Sequence, residues 1–166
     1  MELWDLYDKD RNPLNKIHKR GKPIARGEFH IAVSVLTQNS QKQILVTLRS
    51  PDKQPYPDLW EITAGSVVAG EDSLSAAVRE LYEETGISAQ PGELEYIGEY
   101  RGTGAIVDMY KIKRDVDIKD IHLQRGETVD AKWVSVDEFE MMIDNGLVTP
   151  PVARRFYKCR QLGLFD

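Results

Sequence analysis

Residues 65–87 read GSVVAGEDSLSAAVRELYEETGI, and this stretch decides the fold because it joins an apolar segment to an amphipathic helix. The apolar side chains of the predicted helix recur at positions i, i+3, i+4 and i+7, namely Leu74, Ala77, Val78 and Leu81. Asp72 or Ser73 can cap the start of this helix, and Gly86 can supply the left-handed residue just past its end. The pattern predicts a helix that docks one face on a core.

Three carboxylates near the end of this helix, Glu80, Glu83 and Glu84, share one helical face and are called the helix glutamates below. Their mutual repulsion and the helix macrodipole each oppose this arrangement by roughly 0.3 to 1 kcal/mol. An acidic, solvated helix face is one interpretation. However, the helix glutamates lie beside the apolar stripe and not opposite it. A cluster of hard oxygen donors held in this way suits Mg²⁺ or Mn²⁺, so we interpret it as a metal site.

The same stretch resembles the signature of the Nudix family, the Nudix box. That signature is Gly, five residues, Glu, seven residues, Arg-Glu, an aliphatic residue, any residue, Glu-Glu, any residue, Gly and an aliphatic residue. The chain matches it without departure, with Gly65, Glu71, Arg79, Glu80, Leu81, Glu83, Glu84, Gly86 and Ile87. A match at so many positions is far more specific than a lone glycine motif. The resemblance implies a strand-loop-helix unit that binds a divalent metal ion and a pyrophosphate.

The resemblance also implies roles for individual residues. The helix glutamates would be the metal ligands and the principal catalytic residues. Gly65 lets the backbone approach closely, so its carbonyl could join the coordination shell. Arg79 and Glu71 would orient the glutamates as a supporting layer. A simple ion pair that ties the loop to the helix is compatible with the same two residues.

The residue that accepts a proton from the attacking water differs among members of the Nudix family. It is either one of the helix glutamates or an acid from a later loop. Glu127, in the segment LQRGETVDAKW just before a predicted strand, is the best loop candidate, and Asp130 is a weaker one. A solvated loop acid describes Glu127 equally well.

The resemblance implies hydrolysis of a diphosphate bond. Typical substrates of the family are a nucleoside diphosphate linked to another group, or a related organic pyrophosphate. A metal ion would neutralise the phosphates, orient the substrate and lower the pKa of a bound water that attacks phosphorus. We therefore expect a metal-dependent hydrolase with a small-molecule diphosphate substrate.

Composition agrees with a small globular enzyme. The chain has 166 residues, of which 41% are hydrophobic, and this is enough for one domain with a sizeable core. A net charge of −5 gives no electrostatic reason to bind long nucleic acid. The N-terminus MELWDLYDKD lacks the pattern of a signal peptide, and no apolar run is long enough to span a bilayer. We expect a cytoplasmic location, no membrane partner and a possible homodimer.

The predicted elements indicate an α/β (α+β) fold, because strands come before, between and after a few helices. We predict one domain over residues 1–166, with an N-terminal hairpin extension in residues 1–27 and a C-terminal helix over 150–163. The predicted strands are Glu2–Tyr7, Asn15–Lys19, His30–Leu36, Gln43–Arg49, a short strand in LWEITAG, Glu95–Arg101, Ala105–Ile112 and Lys132–Val136. A further helix is predicted in SVDEFEMMIDNG, with Ser135 or Asp137 as its cap. These elements match the Nudix helix–sheet–helix sandwich with a mixed sheet.

A looser resemblance covers much of the chain before the box helix. The segments WDLYDKDRNP, EFHIAVSVL and LRSPDKQPYPDLWEITAGSV are similar to the Nudix branch that includes isopentenyl diphosphate isomerases. Those enzymes use a Cys-Gly-His segment where this chain has Ala64-Gly65-Ser66, so the reactive thiol and one histidine ligand are missing. Cys159 does not match that position, and His30 alone is better explained as a strand histidine that is satisfied by packing and hydrogen bonds. Isomerase activity is therefore the weaker alternative.

A non-catalytic nucleotide-sensing module is the third possibility, although such domains often lose carboxylates that this chain keeps. Aromatic residues that could stack on a base or else pack in the core are Tyr56, Trp60, Tyr100 and Tyr110. Basic residues that could reach phosphate or else lie on the surface are Arg49, Arg101 and Lys111. Trp4 and Tyr7 could help the N-terminal hairpin pack on another subunit.

Overall fold

A computed structural model describes residues 1–165 of the chain. Nine strands run over Leu3–Tyr7 (β1), Pro13–Lys19 (β2), His30–Gln38 (β3), Ile44–Arg49 (β4), Trp60–Glu61 (β5), Ala64–Ser66 (β6), Glu95–Arg101 (β7), Ala105–Lys113 (β8) and Thr128–Val134 (β9). Three α-helices run over Ser73–Thr85 (α1), Val136–Asp144 (α2) and Pro150–Gln161 (α3). Short 3-10 turns cover Pro91–Glu93 and Ile118–Asp120.

Seven strands form one mixed sheet around β3. Strands β3 and β8 are parallel, whereas the other pairs in the sheet are antiparallel. Along its other edge, β3 pairs with β6 near its start but with β4 only at Gln38. The sequence stretch LWEITAG, predicted as one strand, is therefore two short strands, because β5 pairs with β4 and β6 pairs with β3.

Helices cover both faces of this sheet, as the family sandwich requires. Side chains alternate across β3, so Val33 and Val35 pack towards α1, whereas Leu36 packs towards α2 and α3. Helix α1 contributes Ala77 and Leu81 to the first core. The second core collects apolar residues of α2 and α3, namely Phe139, Met142, Val152, Phe156 and Cys159. The predicted mixed α/β sandwich is confirmed.

The predicted N-terminal hairpin is also confirmed, and it is fixed to the sheet by specific contacts. Trp4 stacks on His30 with 4.0 Å between the ring centroids. Arg11 makes two hydrogen bonds to the carboxylate of Asp108, at 2.6 and 3.0 Å. Since Trp4 is buried inside the chain, it cannot serve as the subunit contact that we proposed for it. The homodimer remains a prediction without that support.

Two boundaries near the C-terminus differ from the prediction. The strand expected over Lys132–Val136 begins earlier, at Thr128, and ends at Val134, because Ser135 caps α2 by accepting a hydrogen bond from the Glu138 N–H. Helix α3 starts at Pro150 as expected but ends at Gln161. Among residues 1–165, no helix is both long enough and apolar enough to cross a membrane.

Candidate active site

Helix α1 begins and ends where the sequence predicts. The side chain of Asp72 accepts a hydrogen bond from the Ser75 N–H at 2.9 Å, so Asp72 is the cap and Ser73 is the first helical residue. Gly86 ends the helix with φ of 74°, a conformation that favours glycine, and its N–H donates to the Tyr82 carbonyl. The caps therefore fix where α1 starts and ends, and with it the position of the helix glutamates.

Gly65 lies directly against Glu80. A Cβ added at Gly65 would stand 2.0 Å from the Glu80 Cδ, a distance that no real contact allows. The absence of a side chain is thus a requirement of packing between β6 and α1. Gly65 lines the same cleft as the Glu80 side chain.

Arg79 connects the loop to the helix. Its guanidinium donates to both oxygens of Glu71 at 2.9 Å and to the Ser66 carbonyl at 3.0 Å. The same group donates to Glu80 at 2.7 Å and reaches Glu83 at 3.3 Å. These bonds hold the pKa of Glu71 below its usual value and raise that of Arg79. Arg79 therefore orients two of the three helix glutamates while remaining fully ionised.

Glu84 is the helix glutamate that Arg79 does not reach. It is only 2% exposed, and its Oε2 has no hydrogen-bond partner. Burial raises the pKa of Glu84 well above its usual value, and the nearby charges of Glu61 and Glu80 raise it further. The pKa of Glu80 is raised mainly by burial, against the opposing effect of Arg79. Glu83, in contrast, is exposed at the mouth of the cleft.

The helix glutamates share a cleft but do not form a ready-made ligand shell. Among residues 1–165, no three His, Cys, Asp or Glu side chains converge closely enough to hold a metal ion as they stand. Arg79 accounts for the lack of convergence, because it holds the Glu80 and Glu83 carboxylates by hydrogen bonds. The donor set nevertheless fits a hard cation, since it includes an unpartnered, buried carboxylate oxygen on Glu84.

Three adjoining clefts extend from the helix glutamates across the sheet. The carboxylate cleft is lined by the helix glutamates, Arg79 and β6, together with Glu2, Arg20, Lys53, Gln124 and Glu127. The arginine cleft shares Arg20, Lys53, Ala64 and Gly65 with it and adds Arg49, Tyr56, Glu61 and Arg155. The outer cleft, reached through Arg155, is lined by Tyr100, Arg101, Thr103 and Arg154. A charged, elongated ligand could therefore contact both acidic and basic groups.

Comparison with known proteins identifies the family. The family model described as the NUDIX domain matches residues 28–156. The chain belongs to the Nudix family. It is 35% identical over 151 residues to a Nudix hydrolase of Listeria monocytogenes, covering 90% of this chain and 89% of the relative. A crystal structure from Deinococcus radiodurans superposes with a TM-score of 0.80 at 20% identity, covering 95% of this chain and 99% of that one.

These relationships make the chain a Nudix pyrophosphohydrolase, an enzyme class that acts on small molecules derived from nucleoside diphosphates. Similarity to the isomerase branch is narrower. An isopentenyl-diphosphate isomerase of Pectobacterium atrosepticum is 37% identical over 83 residues, which are 49% of this chain and 46% of that enzyme.

One of the two loop acids, Glu127, lines the carboxylate cleft. It forms an ion pair with Lys53 across this cleft. Asp130 lies in β9, is exposed, and accepts a hydrogen bond from the Ala131 N–H. The geometry favours Glu127 over Asp130 as a group near the substrate.

The residues that distinguish the isomerases are absent from β6, the strand that lines the carboxylate cleft. Ala64, Gly65 and Ser66 form β6, and none of them carries a thiol or an imidazole. Cys159 lies in the second core, where burial raises the pKa of its thiol. His30 packs against Trp4 as expected, but its buried Nδ1 lacks the hydrogen bond that we expected.

Several candidate ligand contacts have structural partners instead. Arg49 is buried and makes two bonds to Glu61, at 3.0 and 3.1 Å, while also holding the 50–58 loop through the carbonyls of Pro55 and Tyr56. Lys111 donates to the Leu164 carbonyl at 2.7 Å. Trp60 lies under Lys132, and Tyr110 is buried beside Tyr96. Arg101 donates to Glu99 at 2.6 Å and to the Lys9 carbonyl, although it also lines the outer cleft. Of these candidates, Tyr56 and Tyr100 remain as cleft residues.

The sequence interpretation missed cleft residues that come from distant segments, namely Glu2, Arg20, Lys53, Gln124 and Arg155. The hairpin supplies the first two, where Arg20 donates to Glu2 at 2.7 Å. For Arg155 a signal did exist. Val152, Arg155, Phe156 and Cys159 share the buried face of α3, so a charge occupies an otherwise apolar stripe.

Proposed function

We propose that this Nudix enzyme is metal-dependent and hydrolyses the diphosphate bond of a nucleoside diphosphate linked to another group, or of a related organic pyrophosphate. The observation that carries the proposal is the buried, unpartnered Oε2 of Glu84 in a cleft shared with Glu80 and Glu83. A buried carboxylate without a hydrogen bond is unfavourable unless a cation compensates it. Residues 1–166 act as a single domain in this proposal, since the hairpin and the box helix line one cleft.

Mg²⁺ or Mn²⁺ would be held by the helix glutamates, with the Gly65 carbonyl as a further donor. When bound, such an ion supplies charge neutralisation for the phosphates and lowers the pKa of water. Arg79 has a positioning role in this proposal, because it donates hydrogen bonds to Glu80 and Glu83. Its link to Glu71 ties that support to the loop before α1.

The cleft also provides groups for the proton and the substrate. The oxygen of water attacks phosphorus, the bridging P–O bond breaks, and a carboxylate takes the proton from the water. Glu127 is suited to accept this proton because it lines the cleft and is not buried. Lys53, its ion-pair partner, carries a positive charge that would attract the substrate phosphates.

Isomerisation of isopentenyl diphosphate is the less favoured function. It requires a group that moves a proton on carbon, and β6 offers Ala64 where a thiol would be needed. The carboxylates, by contrast, are all retained, which also disfavours a sensor that binds nucleotides without turnover.

The test is incubation with Mg²⁺ and a panel of nucleotide sugars, dinucleotide cofactors, nucleoside di- and triphosphates and isopentenyl diphosphate. Phosphate-bearing products that carry ¹⁸O from labelled water are expected, because attack occurs at phosphorus. Turnover that persists in excess EDTA would refute metal dependence. Rearranged isopentenyl diphosphate would support the isomerase, and saturable binding without products would support the sensor.

A further inference from the structure

Arg155 stands where two clefts meet. It lines the arginine cleft, which continues from the carboxylate cleft, and it also lines the outer cleft. Helix α3 fixes this position, because Val152 and Phe156 on either side of Arg155 are packed in the second core. The guanidinium is therefore attached to a rigid part of the fold and not to a mobile loop.

The Arg155 side chain is buried but has no partner. The residue is 7% exposed, and its Nε donates no hydrogen bond. Arg49, a second buried arginine of the same cleft, has its hydrogen bonds satisfied. It donates two to Glu61 and two to backbone carbonyls. The one acidic residue lining the arginine cleft is thus already bound to Arg49, at 3.0 Å. A buried cation without a partner is unfavourable for folding, so its retention indicates a ligand.

The charges around Arg155 also favour an anion. Arg20, Arg49, Lys53 and Arg155 line the arginine cleft. The first three pair with Glu2, Glu61 and Glu127, so Arg155 is the cation of this cleft that has no ion pair among residues 1–165. In the outer cleft, Arg101 pairs with Glu99 at 2.6 Å, whereas Arg154 has no ion pair among the same residues. Burial lowers the pKa of Arg155 only to about 10, so the group stays cationic at neutral pH.

We propose that Arg155 determines specificity by binding a phosphoryl group on the part of the substrate that extends away from the helix glutamates. A guanidinium can donate two parallel hydrogen bonds to two phosphoryl oxygens, and its fixed geometry makes this contact selective. The proposal rests on the proposed diphosphate substrate. It adds that substrates with an anionic group beyond the reacting phosphorus are preferred over those without one.

The test measures binding of inorganic pyrophosphate in EDTA by calorimetry, so that neither a metal ion nor turnover is needed. Arg155→Met should bind pyrophosphate at least tenfold more weakly than the wild type, and Arg155→Lys should recover part of the affinity. Arg160→Met is the matched control, because Arg160 lies on the same helix and pairs with Glu140 at 2.8 Å. It should bind like the wild type.

Denaturation separates this result from a folding defect. Arg155→Met should unfold at the same or a higher denaturant concentration, because an uncompensated buried cation is replaced by an apolar side chain of similar length. Equal pyrophosphate affinity of Arg155→Met and the wild type, or no binding by the wild type at millimolar pyrophosphate, would overturn the proposal.

Kinetics then place the contact in catalysis. For a substrate found in the panel, Arg155→Met should raise KM at least tenfold while kcat changes little, since the contact is distant from the reacting phosphorus. A fall in kcat with KM unchanged would contradict the assigned role. If no substrate is hydrolysed, the proposed function fails, whereas the pyrophosphate measurement still tests Arg155.

Discussion

Glu84 on α1 and Arg155 on α3 have the same structural property with opposite charge. Five buried side-chain atoms in residues 1–165 lack a hydrogen-bond partner, and Glu84 and Arg155 are the one carboxylic acid and the one guanidinium among the residues that own them. One lines the carboxylate cleft and the other the arginine cleft. The difference between them is their surroundings: Glu84 shares its cleft with Glu80 and Glu83, whereas the cleft around Arg155 contains three other basic residues besides the carboxylate of Glu61. Together they indicate a ligand that brings both a cation and phosphate groups.

The largest effect is expected from Glu84→Gln. Loss of a metal-coordinating charge should reduce Mg²⁺-dependent turnover by about 100-fold or more, because metal stabilisation of the transition state is worth several kcal/mol. The fold should be as stable as the wild type or more so, since the substitution removes a buried ionisable group whose Oε2 has no hydrogen-bond partner. Steady-state kinetics and urea denaturation measure the two effects.

The comparison with Arg155 predicts a further difference for the same variant. In EDTA, Glu84→Gln should bind pyrophosphate no more weakly than the wild type, because the lost group is an anion. Glu95→Gln, an exposed residue of β7, is the control for turnover. Wild-type turnover by Glu84→Gln at saturating substrate would remove Glu84 from the proposed ligand set.

Gly65→Ala should also impair the carboxylate cleft and leave the Arg155 contact intact, because the atoms within 4 Å of the added Cβ all belong to Glu80, although Gly65 lines both clefts. The new Cβ would displace the Glu80 carboxylate, and displaced supporting geometry typically lowers activity by about 10- to 100-fold. Pyrophosphate affinity in EDTA should be unchanged. Gly92→Ala, with open space around the added Cβ, is the matched control. Full activity of Gly65→Ala would show that Glu80 can move without consequence.

His30 tests whether an unpartnered buried atom matters when the group is neutral. Burial lowers the pKa of His30 from 6.5 to about 4, so the folded protein resists protonation. The contribution of neutral His30 to the free energy of unfolding is fully present above the pKa of the unfolded chain, which is 6.5, and is lost as the pH falls towards the folded pKa of about 4. Between about pH 7 and about pH 4.5 the wild type should lose roughly 2 kcal/mol more stability than His30→Phe, which keeps an aromatic ring against Trp4.

Urea denaturation at the two pH values measures this difference. An equal pH dependence of the two proteins would contradict the lowered pKa. Turnover at neutral pH should be the same in both, since His30 lies outside the carboxylate cleft.

The smallest effect is expected from the two loop acids. Glu127→Gln should lower kcat by about tenfold or less, because the helix glutamates can share proton transfer, and a loss of about 10²-fold or more would instead identify Glu127 as the sole base. Asp130→Asn should leave kcat unchanged, because Asp130 is outside the cleft. A loss of activity in Asp130→Asn alone would reverse the assignment.

The helix glutamates could be placed from the sequence because they and the residues that fix their helix are close together in the chain. The period of Leu74, Ala77 and Leu81 fixes which face of α1 is buried, and the cap residues fix where the helix ends. Once the helix is placed, its glutamates must neighbour one another. The strand boundaries near LWEITAG and Val134 differ from the prediction, because pairing partners far away in the chain decide where a strand begins and ends.

By itself, the sequence determined the box helix, the order of most strands and helices, and the clustering of the helix glutamates, because each depends on residues a few positions apart. Only the tertiary structure decided that Glu84 is buried without a partner while Arg79 holds Glu80 and Glu83. It also decided that Arg20, Lys53 and Arg155, which come from three distant segments of the chain, line one cleft. Such contacts follow from strand pairing and from the seating of α3 on the sheet, and no local pattern encodes them.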